Sequence, residues 1–352
     1  ALRKIRLPEK ALDSRMFIYL SLETQGEIFL YIRILFCFSS ILHTIALLCL
    51  LKQTPPNQAT VRKYLIYIQV LLVLSDVHMG VFFEPIPLFP VLAGYCIGVA
   101  CQLGVPVQVQ TGITVLLIAN VGVSVLLCVI FRHQSLLPDN HRLKMGTMLA
   151  RAIHWSLLVG FSVPPIMYSV ALQDPVESER QLEEHPELSW IRGRGPWLVQ
   201  ERSPELTVFF VAIVIIILIG FELLYAMYAH MFYILKTDYS KRSTISSAVI
   251  HKSLVMMCIQ LVIPLFLLIL PAVVIYIGLA VEDLITFETS FFMFLLIHLH
   301  PIGHNIILLS VTPTYRNFIA RFIRIHVFDE NNSVHTARIQ TAPSSPLRHE
   351  FS

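Results

Sequence analysis

Charged side chains are scarce here: Asp, Glu, Lys and Arg make up 14% of the 352 residues, against 55% that are hydrophobic. A soluble domain of this length needs far more polar surface than that. A mean hydropathy of +0.69 points the same way. Cysteine is also sparse, with six in the chain. Cys37, Cys49, Cys128 and Cys258 lie in apolar runs, where a thiol acts as a small hydrophobe. Cys96 and Cys101 sit before the third apolar run, and the long segment 173–206 holds no cysteine to pair with them. Neither a disulfide framework nor a zinc-finger spacing is therefore expected. No internal repeat and no soluble second domain are visible. The opening ALRKIRLPEK is polar, with no short apolar stretch behind it, so the first long apolar run is expected to act as a signal anchor rather than a cleaved signal peptide.

What the chain does have is long apolar blocks, the pattern of a polytopic membrane protein. Seven stretches meet the ~20 residues needed to cross the hydrocarbon core. They run over 28–51, 64–83, 107–131, 152–172, 207–233, 253–280 and 289–311. The expected fold is an all-α bundle of seven transmembrane helices. Residues 1–27 are expected to form an extracellular N-terminal tail, 312–326 a juxtamembrane amphipathic helix and 327–352 a cytoplasmic tail. The segment 84–106 contains PIPLFP, Gly94, Gly98, Gly104 and Pro106. So many breakers predict a proline-broken entry with a short helix rather than one continuous span.

Lys and Arg set the expected orientation. With the N-terminus outside, the inner segments 52–63, 132–151, 234–252 and 312–352 carry 3, 4, 4 and 5 of them. The outer segments 1–27, 84–106, 173–206 and 281–288 carry 5, none, 4 and none. The N-terminal tail argues against this arrangement, and the other loops agree on N-terminus out and C-terminus in. The loop 173–206 holds eight Asp or Glu and four Arg, and is expected to lie in water and cover the bundle.

Ionisable residues at membrane depth carry a functional hypothesis by default. Asp76, in VLSDVHMG, either clasps helices with Ser75 and His78 or acts as a switch. Asp76 and His78 are two apart and so leave the helix on different faces. Glu222 is expected to link to a neighbouring helix or to Arg132. Arg33, near the start of the first span, is expected to snorkel to the headgroups. His300 and His304 share a face at i, i+4, a spacing zinc can use, and His78 is a conceivable third ligand. Pro301 between them distorts that turn, so a hydrogen-bonded polar seam including Asn305 is preferred. No metal and no cofactor are expected. Pro264, Pro271 and the Pro164-Pro165 pair permit kinks.

Four motifs together carry a family resemblance: KQTPPNQATVRKYLIYIQ, FEPIPLFPVLAGYCIGV, FRHQSLLP and PIGHNIILLSVTPTYRNF. Over most of residues 28–326 the chain resembles nematode serpentine seven-transmembrane chemoreceptors of the Str superfamily. PIPLFP…GYC with PTYRNF is most similar to the Sri class, with Srh second. The resemblance implies a receptor for an odorant or soluble cue, on the plasma membrane of sensory cilia, signalling to a heterotrimeric G protein. It departs from the rhodopsin pattern. No acid precedes Arg132, the last span lacks Asn-Pro-x-x-Tyr, and the sixth lacks Cys-Trp-x-Pro.

On that basis a small ligand is expected among the third, fifth, sixth and seventh spans. Its walls are mostly apolar, with a few polar groups to orient it. Candidate contacts are Gln108, Gln110, Thr111, Phe209, Phe210, Tyr276, Phe292 and His298, each also explicable as packing. Asp76, His78, Glu222, His300, His304 and Asn305 are candidates for an intramembrane network. Arg132, His133, Lys241, Arg242, Tyr315 and Arg316 are candidates for the face toward the G protein. Arg316, Arg321 and Arg324 with Phe318 and Phe322 suit a helix lying along the inner leaflet. Ser243, Thr244, Ser246, Ser247, Ser344 and Ser345 read as linker serines or phosphorylation sites. Asn331 begins a glycosylation sequon on the side expected to stay unmodified. Two other classes remain open. One is an intramembrane zinc hydrolase using His78, His300 and His304. The other is an odorant-gated channel or transporter, which would want a polar file and repeat symmetry that the sequence does not display. The partners expected are a small molecule, a G protein and the bilayer, with no nucleic acid.

Overall fold

A computed structural model describes residues 19–54, 59–171, 174–237, 254–256, 258–281 and 284–324. Seven of its helices are long and apolar enough to cross a membrane. These are α1 (Leu22–Gln53), α2 (Ala59–Val77, continued to Phe83 by a π turn), α4 (Val107–Leu136), α5 (Thr147–Val170), α7 (Pro204–Thr237), α8 (Leu254–Ala280) and α9 (Phe287–Val311). A short helix, α10 (Pro313–Ile323), follows the last span, inside the segment expected to be amphipathic. The starts follow local chemistry. Ser21 and Thr286 accept the backbone N–H of Thr24 and Thr289, and Pro313 opens α10 where its missing N–H costs nothing. Pro164, Pro165 and Pro301 stay inside helices, and Pro264 opens a π turn over Leu265–Ile269.

The segment 84–106 is more ordered than the density of breakers suggested. It forms β1 (Pro85–Pro87), β2 (Ala93–Cys96) and α3 (Val99–Gln102). The loop 173–206 adds α6 (Pro175–Glu184), a 3-10 turn (Pro186–Gly193) and β3 (Trp197–Val199). The three strands make one antiparallel sheet in the order β1-β2-β3, with Ile86 opposite Tyr95 and Tyr95 opposite Trp197. At the turn into β1, Glu84 adopts a left-handed conformation at φ 41. A Cβ at Gly98 would meet the Phe82 carbonyl oxygen at 2.3 Å, so only glycine fits this close approach.

This sheet caps one end of the bundle and has its own core. Leu20, Phe29, Ile86, Leu88, Tyr95, Leu182, Leu188, Ile191 and Val199 pack together there. Arg180 on α6 forks Glu177 and reaches Glu184, and its guanidinium holds the Glu177 carboxyl down at about 2. Burial pushes the Tyr95 phenol up to about 12 while its hydroxyl donates to Gln25.

Two expectations are corrected here. Cys96 and Cys101 do have a partner: each other, in a disulfide between the end of β2 and α3. The pair is local, only five residues apart in sequence, and involves no part of the 173–206 loop. Arg33 does not simply snorkel. Its Nε and Nη2 donate to the two Glu84 carboxylate oxygens at 3.0 and 3.1 Å. Glu84 is nearly buried at the sheet, so the cation has a fixed counterion within the protein.

Candidate functional site

Three layers lie in order along the inner face of α9. Nearest the sheet, Phe294 joins Met79, Phe83, Val107, Phe210, Ile275 and Leu279 in a packed apolar cluster, with Phe209 and Tyr276 against it. The Phe210 and Tyr276 rings are 6.0 Å apart. One turn further, a cavity of about 30 Å³ is lined by Met79, Ser75, Asp76, Ile297, His298 and His300 among others. That is room for one or two water-sized groups. His298 Nδ1 lies 3.0 Å from the Phe294 carbonyl and must donate to it. Its Nε2, buried and without a partner among the described residues, is therefore left as an acceptor on a residue that lines the cavity.

The third layer is a hydrogen-bonded network joining α1, α2 and α9. Asp76 Oδ2 accepts from the Ser39 hydroxyl and lies 3.0 Å from His43 Nε2. His43 Nδ1 is 2.6 Å from Gln69 Nε2 and 3.0 Å from Asn305 Nδ2. Two amide donors converge on Nδ1, so the imidazole carries its proton on Nε2 and gives it to Asp76. Gln69, Asn305, His43 and Ser39 are all buried. The Gln69 and Asn305 amide oxygens have no hydrogen-bond partner among the described residues. His304 lies within electrostatic reach of His43, and its ring centre is 6.1 Å from that of His300.

Asp76 thus bonds across to α1, not to Ser75 and His78. His78 instead donates Nε2–H to the Gln110 carbonyl at 3.1 Å, joining α2 to α4. Among the described residues, no group of three or more His, Cys, Asp or Glu is placed to hold a metal ion. Ser39, His43 and Gln69 were absent from the residues singled out by sequence. A signal existed: Ser39 and His43 are i, i+4, and Gln69 and Asp76 are i, i+7, so each pair shares a helix face.

The other singled-out residues separate cleanly. Gln108 is buried and donates to the Tyr168 and Ala171 carbonyls, fastening α4 to α5. Gln110 is buried beside His78, and Thr111 bonds the Val107 carbonyl of its own helix. Phe292 lies 56% exposed on the outer surface of the bundle and takes no part in the apolar cluster. Glu222 is also exposed, on the outer face of α7, and makes no link to Arg132. The difference lies in helix rotation: the residue of α9 that joins the apolar cluster is Phe294, two positions on.

At the end opposite the sheet, Arg132 is half-buried, within electrostatic reach of Tyr228 and Cys128. His133 Nε2 lies 2.8 Å from His230 Nδ1, tying α4 to α7, and the His141 ring is 5.4 Å from His230. The Met145 backbone N–H donates to Gln134 Oε1, so Gln134 Nε2 must donate to His133 Nδ1. His133 is then the donor in the imidazole pair. Tyr315 is buried: Thr54 gives its hydroxyl proton to the Leu50 carbonyl and accepts from Tyr315 at 2.7 Å, anchoring α10 to α1. Arg316, Arg321 and Phe322 on α10 are exposed. Lys241 and Arg242, with the serines and the sequon noted above, lie outside the described residues.

A protein-family model described as serpentine type 7TM GPCR chemoreceptor Srh matches residues 24–325. The matched class is Srh, which the sequence motifs placed second to Sri. No curated protein matches the chain.

Proposed function

Since the chain belongs to the Srh family of serpentine seven-transmembrane chemoreceptors, we propose that it senses a small environmental molecule where the apolar cluster beneath the three-stranded sheet meets the small cavity at His298. The molecule has an apolar body and at least one hydrogen-bond donor. The body takes its place as the packed side chains of Met79, Phe210, Tyr276 and Phe294 part around it, and the donor meets His298 Nε2. The single observation that carries this reading is that unpaired acceptor, on a residue lining the same cavity as Asp76. A ligand seated there touches the network that holds α1, α2 and α9 together. It shifts the receptor between states only to the extent that it binds one arrangement of that network better than the other.

The sheet faces outward, and the end carrying Arg132 and α10 faces the cytoplasm, in keeping with the Lys and Arg distribution. Output runs to a heterotrimeric G protein through Arg132, the His133–His230 tie and the segment holding Lys241 and Arg242. The plasma membrane of a sensory cilium, an olfactory role and a nematode source follow from the family resemblance.

The test is expression with a reporter of G-protein activation and a panel of volatile and soluble cues. An active cue should lose about 3-fold to 20-fold in potency with His298→Leu, the worth of a neutral hydrogen bond of roughly 0.5–1.5 kcal/mol plus repacking. Cues without a donor should be little affected. Silence of a correctly trafficked receptor to the whole panel, or equal potency in the variant, counts against the reading.

A further inference from the structure

Glu222 stands apart from the polar layers. It lies about 27 Å from the first residue of α7 and about 22 Å from the last, at 1.5 Å per residue. With a hydrocarbon core of about 30 Å, that is close to the midplane, and a side chain this short reaches neither headgroup layer. Ionisable residues at such depth ordinarily turn inward or pair. Glu222 does neither: it is exposed on the outer face of α7 beside Ile219, Leu223 and Tyr225, themselves exposed, and has no partner among the described residues.

We propose that this face of α7 binds a second copy of the same chain, the two Glu222 carboxyls meeting across a twofold axis along the membrane normal. A second copy is favoured over an unrelated helix on three grounds. A contact about such an axis brings each residue opposite its own counterpart at the same depth, so a midplane carboxyl meets another without any register adjustment. A carboxyl pair is self-complementary, because a proton held between the two groups makes one the donor and the other the acceptor. Ala226 and Ala229 follow Glu222 at i+4 and i+7 on the same exposed face, and small side chains let two helix backbones approach closely. By contrast α5, equally peripheral, exposes Val159 and Val163 with no carboxylate at that level.

This goes beyond the chemosensory reading and does not depend on it, since the test needs no ligand. The full-length chain is expressed in membranes with Cys37 changed to serine, and oxidative cross-linking is followed in Ala226→Cys and Val159→Cys. Self-association is measured in parallel by energy transfer between tagged copies at matched surface expression. The expected result is a cross-linked dimer with Ala226→Cys and little with Val159→Cys. Glu222→Leu should weaken association about 5-fold to 30-fold, the equivalent of roughly 1–2 kcal/mol for an interhelical pair. Glu222→Gln should stay within about 2-fold of the parent, because two primary amides pair in the same reciprocal way. Leucine removes a polar group from lipid, so failed insertion does not account for a loss. The proposal is overturned if Glu222→Leu associates like the parent, or if Ala226→Cys cross-links no better than Val159→Cys. The second result would leave this face to lipid or to a different protein.

Discussion

Replacing His43 with leucine is the sharpest probe of the buried network. The imidazole receives two amide donors at Nδ1 and gives one proton to Asp76, so three groups lose a partner at once. Gln69 and Asn305 are fully buried and Asp76 nearly so, and no described group replaces the ring. A buried polar group stranded in this way costs about 1–3 kcal/mol. With relaxation and the non-additivity expected of one network, the loss is about 3–6 kcal/mol. A melting curve of the purified receptor should fall by roughly 10 °C, taking about 2–4 °C per kcal/mol for a chain of this size. Ser39→Ala withdraws a single donor from Asp76 and should cost less, about 1–3 kcal/mol. The decisive comparison is the cycle of His43→Leu with Asp76→Leu. Removing both partners strands fewer groups than the two single changes together, so the effects should fall short of additive by more than about 1 kcal/mol. Simple additivity, or a His43→Leu melt within about 2 °C of the parent, would refute the hydrogen-bond assignment.

Two further predictions concern the sheet and the orientation. Cys96→Ser with Cys101→Ser opens a very short loop, worth about 2 kcal/mol by chain entropy, and should lower the melting temperature by several degrees. Both cysteines are buried, so mild reductant should leave the folded parent unchanged, and equal loss on reduction of the native protein would contradict that burial. An epitope fused after Ser352 should be reached by antibody only in permeabilised cells, whereas one placed between Asp174 and Glu184 should be reached on intact cells. The reverse pattern would invert the assignment of the two faces.

Much of the architecture was legible because lipid imposes a simple rule: backbone polar groups must be satisfied within each span, so a spanning helix appears as a long apolar run. That rule located seven helices without any knowledge of their contacts. It gave less at 84–106, where prolines and glycines announce irregular backbone but do not say that β2 will pair with β3 from a loop some hundred residues on. The covalent tether sought between that loop and the third span is replaced by these strand hydrogen bonds, and the disulfide closes locally instead. Asp76, His78, His300, His304 and Asn305 were visible as polar residues in apolar surroundings. Ser39, His43 and Gln69 were visible too, but a single polar residue in a span does not reveal its partner on another helix.

What the sequence determined by itself was composition, periodicity and charge, and hence a seven-helix membrane protein whose motifs resemble serpentine chemoreceptors. Tertiary structure decided the rotation of each helix about its axis. That rotation turns Phe294 inward and Phe292 outward, brings Asp76 to His43, and leaves Glu222 exposed on the outer face of α7. The physical reason is that these helices are apolar nearly all round, so hydrophobic patterning cannot specify which face is buried. The choice falls to packing and to a few long-range hydrogen bonds, which exist only once the helices have met.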